Sequence, residues 1–204
     1  MPAPIVTATV QSTCIACASN VMAQVLDHWN KGEPFAFSIG DFLRFMLLNI
    51  IVAPPNFIWQ GWLEKTFPAR KVVGASHKPS PEEIELGESQ GFLEKETDVE
   101  TEQKEEFNWA NTFKKWFIDC ISMGAIMNTV AFLIIMGLMK SKSLPDIGEA
   151  LRKDTIPIIV AGYKIWPIAS VISFTFIPVE KRIVFLSFVG FLWGIYMSLV
   201  AARQ

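Results

Sequence analysis

The sequence predicts an all-α fold, a bundle of helices that crosses a membrane four or five times. Three observations predict it. Of the 204 residues, 51% are apolar, and the mean hydropathy is positive, a combination that soluble domains seldom show. Five apolar runs approach the ~20 residues that a helix needs to span a hydrocarbon core. These runs lack two-residue alternation, and in lipid only a helix satisfies all its backbone groups within one segment.

The first run, Met1 to Leu26, has no charge but is rich in Thr, Ser, Asn and Gln. The second, Phe42 to Leu63, carries Arg44 near its start and Pro54-Pro55 inside. Together they predict a transmembrane helix pair over residues 1–68. The stretch 69–106 is different in kind. From Glu82 to Glu106 there are eleven acids and two lysines, a local balance of −9 in a chain whose total is −2. With its Pro and Ser residues this reads as an acidic, disordered loop. The remainder, 107–204, is predicted to complete the same bundle.

That remainder opens on "FNWANTFKKWF", Phe107 to Phe117. Trp109, Phe113, Trp116 and Phe117 recur at helical spacing, with Asn111, Lys114 and Lys115 on the other side. Aromatic rings and snorkelling lysines predict a helix entering at the membrane–water boundary. Phe117 to Met139 is the third crossing, charged only at Asp119. "KSKSLPDIGEALRKD" (Lys140 to Asp154) predicts a short amphipathic helix with Ile147 and Leu151 on one side. Ile156 to Ile177 is the fourth crossing and Ile183 to Ala202 the fifth, joined by the charged turn "PVEKR".

Helices in lipid associate through close packing and hydrogen bonds, so small and polar residues mark their contacts. Four of the five runs carry such a stripe. The first has Thr9, Thr13, Ala16, Asn20 and Gln24, and the second has Asn49, Ala53, Asn56 and Gln60. The third has Cys120, Gly124, Asn128 and Ala131, and the fifth has Ser187, Gly190, Gly194 and Ser198. Inward-facing amides at this depth suit either a packed seam or a hydrated passage. Lys164 would lie about 12 Å into the fourth crossing at ~1.5 Å per residue. Three placements are open to it: snorkelling, facing water or a carboxylate such as Asp119, or marking a boundary with Tyr163 and Trp166. Pro167 should bend that helix and free a carbonyl near Tyr163.

The basic remainder of the chain suits anionic lipid headgroups. Its lysines and arginines cluster at the ends of apolar runs rather than on one face, so no nucleic-acid partner is expected. Cys14-x-x-Cys17 lies in an uncharged run, away from the strand–helix setting of redox pairs, and reads as packing. Glycine-rich phosphate loops, histidine pairs and nucleophile elbows are missing, so we expect no enzyme activity, cofactor or metal.

The motifs "YKIWPIASVISFTFIPVEKRIVFLSFVGFLWGIYMS", "VAPPNFIWQGWLEKTFP" and "KKWFID" resemble the 22-kilodalton peroxisomal membrane protein family and its mitochondrial inner-membrane relatives. The shared positions are Trp166-Pro167, then Phe174, Pro178 and Arg182, and then Trp193, Tyr196 and Ser198. Upstream they are Ala53-Pro54, Trp59, Phe67-Pro68, the step from Lys114 and Lys115 to Asp119, and Gln24. The chain departs from the family at polar positions, with Ser170 and Ser173 in place of Gln and Asn, and Cys120 after Asp119. The resemblance implies a small multi-pass protein of peroxisomal or mitochondrial inner membranes that passes small solutes.

The expected function is a channel-like pathway for small hydrophilic metabolites. Gln24, Asn49, Asn56, Asn128, Lys164 and Ser170 are candidate lining residues, and Asp119 is a candidate counter-charge. Pro54, Trp166, Pro167, Pro178, Arg182, Gly190 and Gly194 should set packing and shape. Membrane lipids and small solutes are the expected partners, and a homo-oligomer is compatible. The alternative is a non-conducting scaffold or homeostasis factor that recruits partners through its acidic loop.

Overall fold

The computed structural model describes residues 3–73 and 104–201; side chains of residues 71–105 and 196–201 lie outside the description. Helix α1 (Pro4–Lys31) starts on a proline, whose missing N–H costs nothing in a first turn. It ends at Gly32, whose left-handed φ of 64° turns its N–H back onto the carbonyls of His28 and Trp29. Helix α2 (Ile39–Thr66) starts at Ser38, whose hydroxyl accepts a hydrogen bond from the Asp41 N–H. The two helices pack against each other along the chain's first hairpin.

The third crossing is a composite of 31 residues. It consists of α3 (Trp109–Ile121), a π-helical segment (Met123–Met127) and α4 (Asn128–Met139). Helix α5 (Leu144–Gly162) is capped by Ser143, which accepts from the Asp146 N–H. Helix α6 (Trp166–Phe176) follows at an angle of 57°, and α7 (Val179–Ala201) closes the chain. Helix α7 packs mainly on α1 and also on α2 and α6, while α3 packs on α6 and α4 on α5.

Among the described residues three helices, counting α3–α4 as one, are long and apolar enough to cross a membrane, and the bent pair α5–α6 makes a fourth if it is one span. Helix α7, from the fifth apolar run, is 23 residues long. Two expectations need correction here. The fourth run is not one helix: it breaks between Gly162 and Trp166, and its first half continues the helix that begins at Leu144. The amphipathic stretch expected as a separate connector is therefore the start of α5, with Ile147 buried against Gly137. The break puts Pro167, which lacks an N–H, in the first turn of a new helix, where that N–H is not needed.

Residues 70–108 form a separate unit. Strand β1 (Arg70–Val73) pairs antiparallel with β2 (Lys104–Phe107), with Arg70 opposite Phe107 and Val73 opposite Lys104. The ends of the expected disordered loop are thus paired strands. Residues 74–103, with most of the acidic tract, lie outside the described residues.

Burial is inverted relative to a water-soluble protein. Ten polar or charged residues are buried among the described residues, against nine apolar ones. Large apolar side chains such as Ile58, Trp109, Phe113, Ile156, Ile168 and Phe176 point outward, each more than 60% exposed. Hydrocarbon is the surrounding that makes such a surface stable.

Candidate functional site

Every helix contributes to a cavity of about 440 Å³. Along α2 its wall runs from Phe45 through Asn49, Val52, Ala53 and Asn56 to Gln60, about 22 Å of helix. Facing it are Asp119 and Cys120 of α3, Gly124 of the π segment, and Asn128, Thr129 and Phe132 of α4. Ile158 and Ile159 of α5, Trp166 and Ser170 of α6, and Ile183, Ser187 and Gly190 of α7 complete it.

Five of the seven candidate lining residues therefore meet: Asn49, Asn56, Asn128, Ser170 and Asp119. Three of them also tie helices together. Asn56 and Asn128 exchange side-chain amide bonds of 2.8 and 3.0 Å between α2 and α4. Asn49 donates to the hydroxyls of Ser12 and Thr13 on α1, each at 3.0 Å. The stripes are thus seam and wall at once. A helix surface in lipid satisfies an amide only through a neighbouring helix or a wet space, and here neighbouring helices supply the partners.

Gln24 and Lys164 do not join them. The Gln24 side chain brackets Ser38, accepting from its N–H at 2.7 Å and donating to its carbonyl at 3.1 Å. It fixes the α1–α2 connection instead of the cavity wall. Lys164 is exposed at the α5–α6 break and makes no bond to Asp119. The lysine thus sits in the turn between two helices rather than within one.

Asp119 forms one end of the cavity. Its Oδ1 accepts from Trp59 Nε1 at 2.9 Å and from Gln60 Nε2 at 3.4 Å, and its Oδ2 accepts from Ser170 Oγ at 3.5 Å. Asp119 is 4% exposed and Gln60 is 2% exposed. The Gln60 carbonyl oxygen is buried without a partner.

One turn further along α2, α3 and α7 lies an ionic layer. Glu64 Oε2 accepts from Lys115 Nζ at 2.8 Å and from Arg182 Nη2 at 2.6 Å. Glu64 Oε1 accepts from the Ala69 N–H, and Arg182 Nε donates to the Ile177 carbonyl. Lys115 and Arg182 both lie against the Phe174 ring, 5.4 and 5.0 Å from its centroid.

The burial of Lys115 overturns its interfacial reading. Its side chain is fully buried, while Trp109, Phe113 and Phe117 on the opposite face point outward. Lys114 keeps the exposed position expected of both lysines. Glu64 is the residue that sequence reasoning missed; a lone carboxylate in the last turns of an apolar run was the available signal.

The shape residues fall as follows. Trp166 and Gly190 line the cavity, and a Cβ on Gly190 would lie 3.5 Å from the Trp166 ring. Gly194 faces Ser19 of α1 at the same distance. The Pro167 carbonyl accepts from Trp116 Nε1 at 3.0 Å, and Tyr163 donates to the Cys120 carbonyl at 3.0 Å, so α3 braces the break from both sides. Pro54 lies within α2 beside buried Ala53, Pro178 precedes α7, and Arg182 belongs to the ionic layer. Cys14, Cys17 and Cys120 are free thiols. Among the described residues no group of three His, Cys, Asp or Glu side chains could hold a metal.

Comparison with known proteins shows what the chain is similar to. Residues 137–198 match the model of the Mpv17 / PMP22 family, the family that the sequence motifs resemble. The chain is 31% identical over 100 residues to PXMP2/4 family protein 3 of Dictyostelium discoideum, covering 48% of this chain and 53% of that one. It is 22% identical over 192 residues to the mitochondrial inner membrane protein Mpv17 of Caenorhabditis elegans, covering 93% and 81%. With the Mpv17 of Xenopus laevis it shares 33% identity over 73 residues, covering 36% and 41%. The match to the Dictyostelium protein thus spans about half of that relative's length. No solved structure matches. The family match and the apolar, outward-facing helices make this an integral multi-pass membrane protein.

Proposed function

We propose that this relative of the Mpv17 / PMP22 proteins forms a pathway for small hydrophilic solutes across an organelle membrane. The observation that carries the reading is the cavity, which runs along α2 at membrane depth and gathers Asn49, Asn56, Asp119, Asn128 and Ser170 from four elements. Its volume lies within the roughly 300–1,000 Å³ of small-molecule sites. The relatives named as mitochondrial inner membrane proteins, together with the peroxisomal side of the family resemblance, support one of those two membranes. Passage requires the Glu64 ionic layer to part, because it stands one turn beyond Asp119 on the same helices.

The test is efflux of a labelled small polyol from liposomes that contain the purified chain. Flux should be present in the wild type and lost in Asn128→Trp and Ser170→Phe, which fill the cavity. Tight vesicles holding folded wild-type protein would overturn the proposal. The charge density of the tract from Glu82 to Glu106 favours a second reading, a scaffold that recruits partners through that tract. Removing residues 82–101 should leave flux intact if the chain is a pathway, and should abolish cellular function with insertion preserved if it is a scaffold.

A further inference from the structure

We infer that the Asp119 end of the cavity is a seat for a small primary ammonium, a cation that carries N–H donors. This rests on the cavity being a solute site. Asp119 is the only Asp, Glu, Lys or Arg in the cavity wall. Its Oδ1 is held by Trp59 at 2.9 Å, whereas Gln60 at 3.4 Å on Oδ1 and the Ser170 hydroxyl at 3.5 Å on Oδ2 are both near the outer limit of a hydrogen bond.

Gln60 supplies the second, independent observation. Its amide nitrogen faces the carboxylate at 3.4 Å, the orientation in which the amide oxygen turns away from Asp119. The carbonyl oxygen is then a buried acceptor with no donor, on a side chain that is 2% exposed and lines the cavity. An unmade buried acceptor is destabilising, so a donor arriving from the cavity is favoured. A carboxylate and an amide carbonyl side by side ask for positive charge and at least two N–H groups. A primary ammonium brings three. A small anion would meet acceptor oxygens only, and a neutral amide brings two N–H donors and no charge to the Asp119 carboxylate.

The other charges near Asp119 are Lys115, one turn away on α3, and Arg182 of α7. Both bind Glu64, away from the cavity wall. Their two positive charges exceed the one on Glu64, and of these four charged side chains only Asp119 lines the cavity, whose wall also includes Trp166.

The experiment measures thermal unfolding of the full chain in detergent micelles against methylammonium, acetamide and acetate, three probes of similar size, with ionic strength held by sodium chloride. Methylammonium should raise the unfolding temperature saturably, and the other two should not. Asp119→Asn should abolish the shift, and Gln60→Met should weaken binding by roughly tenfold. An equal response to acetamide or acetate, no saturable response to methylammonium, or full binding by Asp119→Asn would overturn the seat. If Asp119→Asn fails to fold, the three-probe comparison on the wild type decides alone. Binding without liposome flux would remove the pathway and keep the seat; flux without methylammonium preference would do the reverse.

Discussion

One carboxylate serves two cations in the ionic layer, and this asymmetry sets what each residue is worth. Glu64 binds both Lys115 and Arg182 through the same oxygen, and both cations are essentially buried, at 0% and 4% side-chain exposure. Removing one cation leaves a one-to-one pair. Removing Glu64 leaves two positive charges side by side against the Phe174 ring, with the Ile177 carbonyl still accepting from Arg182. Breaking a buried pair in that way costs about 3–5 kcal/mol. Glu64→Leu should therefore destabilise the bundle by that order, while Lys115→Met, which keeps the alkyl volume and leaves Arg182 on Glu64, should rank well below it. Reversible unfolding in mixed micelles checks the ranking. Equal losses would mean that the pairing is not what stabilises this layer.

At the scale of elements, the π segment is the part that shapes the site. Its extra residue per turn brings Gly124 against α3, so that a Cβ there would lie 2.7 Å from the Asp119 carbonyl oxygen and 3.0 Å from Oδ2. The first of these is backbone and cannot swing aside. Gly124→Ala should cost about 1–3 kcal/mol as overpacking and should displace Asp119 from Trp59 and Ser170. Gly61→Ala is the control: nothing lies within 4 Å of the added carbon, and removing a mid-helix glycine should be neutral or stabilising by up to ~1 kcal/mol. Nothing in "MGAIM" announces a π turn, which is why the sequence shows a plain crossing there. The fourth run was half legible. Pro167 marks the bend, but the helix that precedes it starts at Leu144, because Ser143 and Asp146 cap it before the apolar run begins. The first three runs were legible as crossings, since their length and apolarity answer to bilayer thickness alone. The site was legible as stripes, and five of its candidates share the cavity wall. Gln24 escaped because its spacing fits the stripe of α1, while its partner, Ser38, is a turn residue that no periodicity reveals.

For the whole molecule, the decisive property is that helix faces are turned inside out, and α3 displays it within a few residues. Thr112, Lys115 and Asp119 recur at helical spacing and are buried, whereas Trp109, Phe113 and Phe117 on the other side are exposed. An amphipathic pattern alone does not say which face is inward. Water outside draws the polar face out, and lipid outside sends it in. On α2 the same division separates Ile51 and Ile58, 51% and 63% exposed, from Ala53 and Gln60, 4% and 2% exposed. Nitroxide labels on single cysteines in a cysteine-free background would read this directly in reconstituted bilayers. Labels at Ile51, Ile58 and Phe113 should collide with apolar oxygen and be shielded from a water-soluble nickel chelate. A label at Ser187, in the cavity wall, should show the opposite balance if the cavity holds water. A nickel response at Ile58 comparable to that at Ser187 would place the outer face of α2 in water, and with it would go the reason for burying Lys115, Asp119 and Arg182 together inside the bundle.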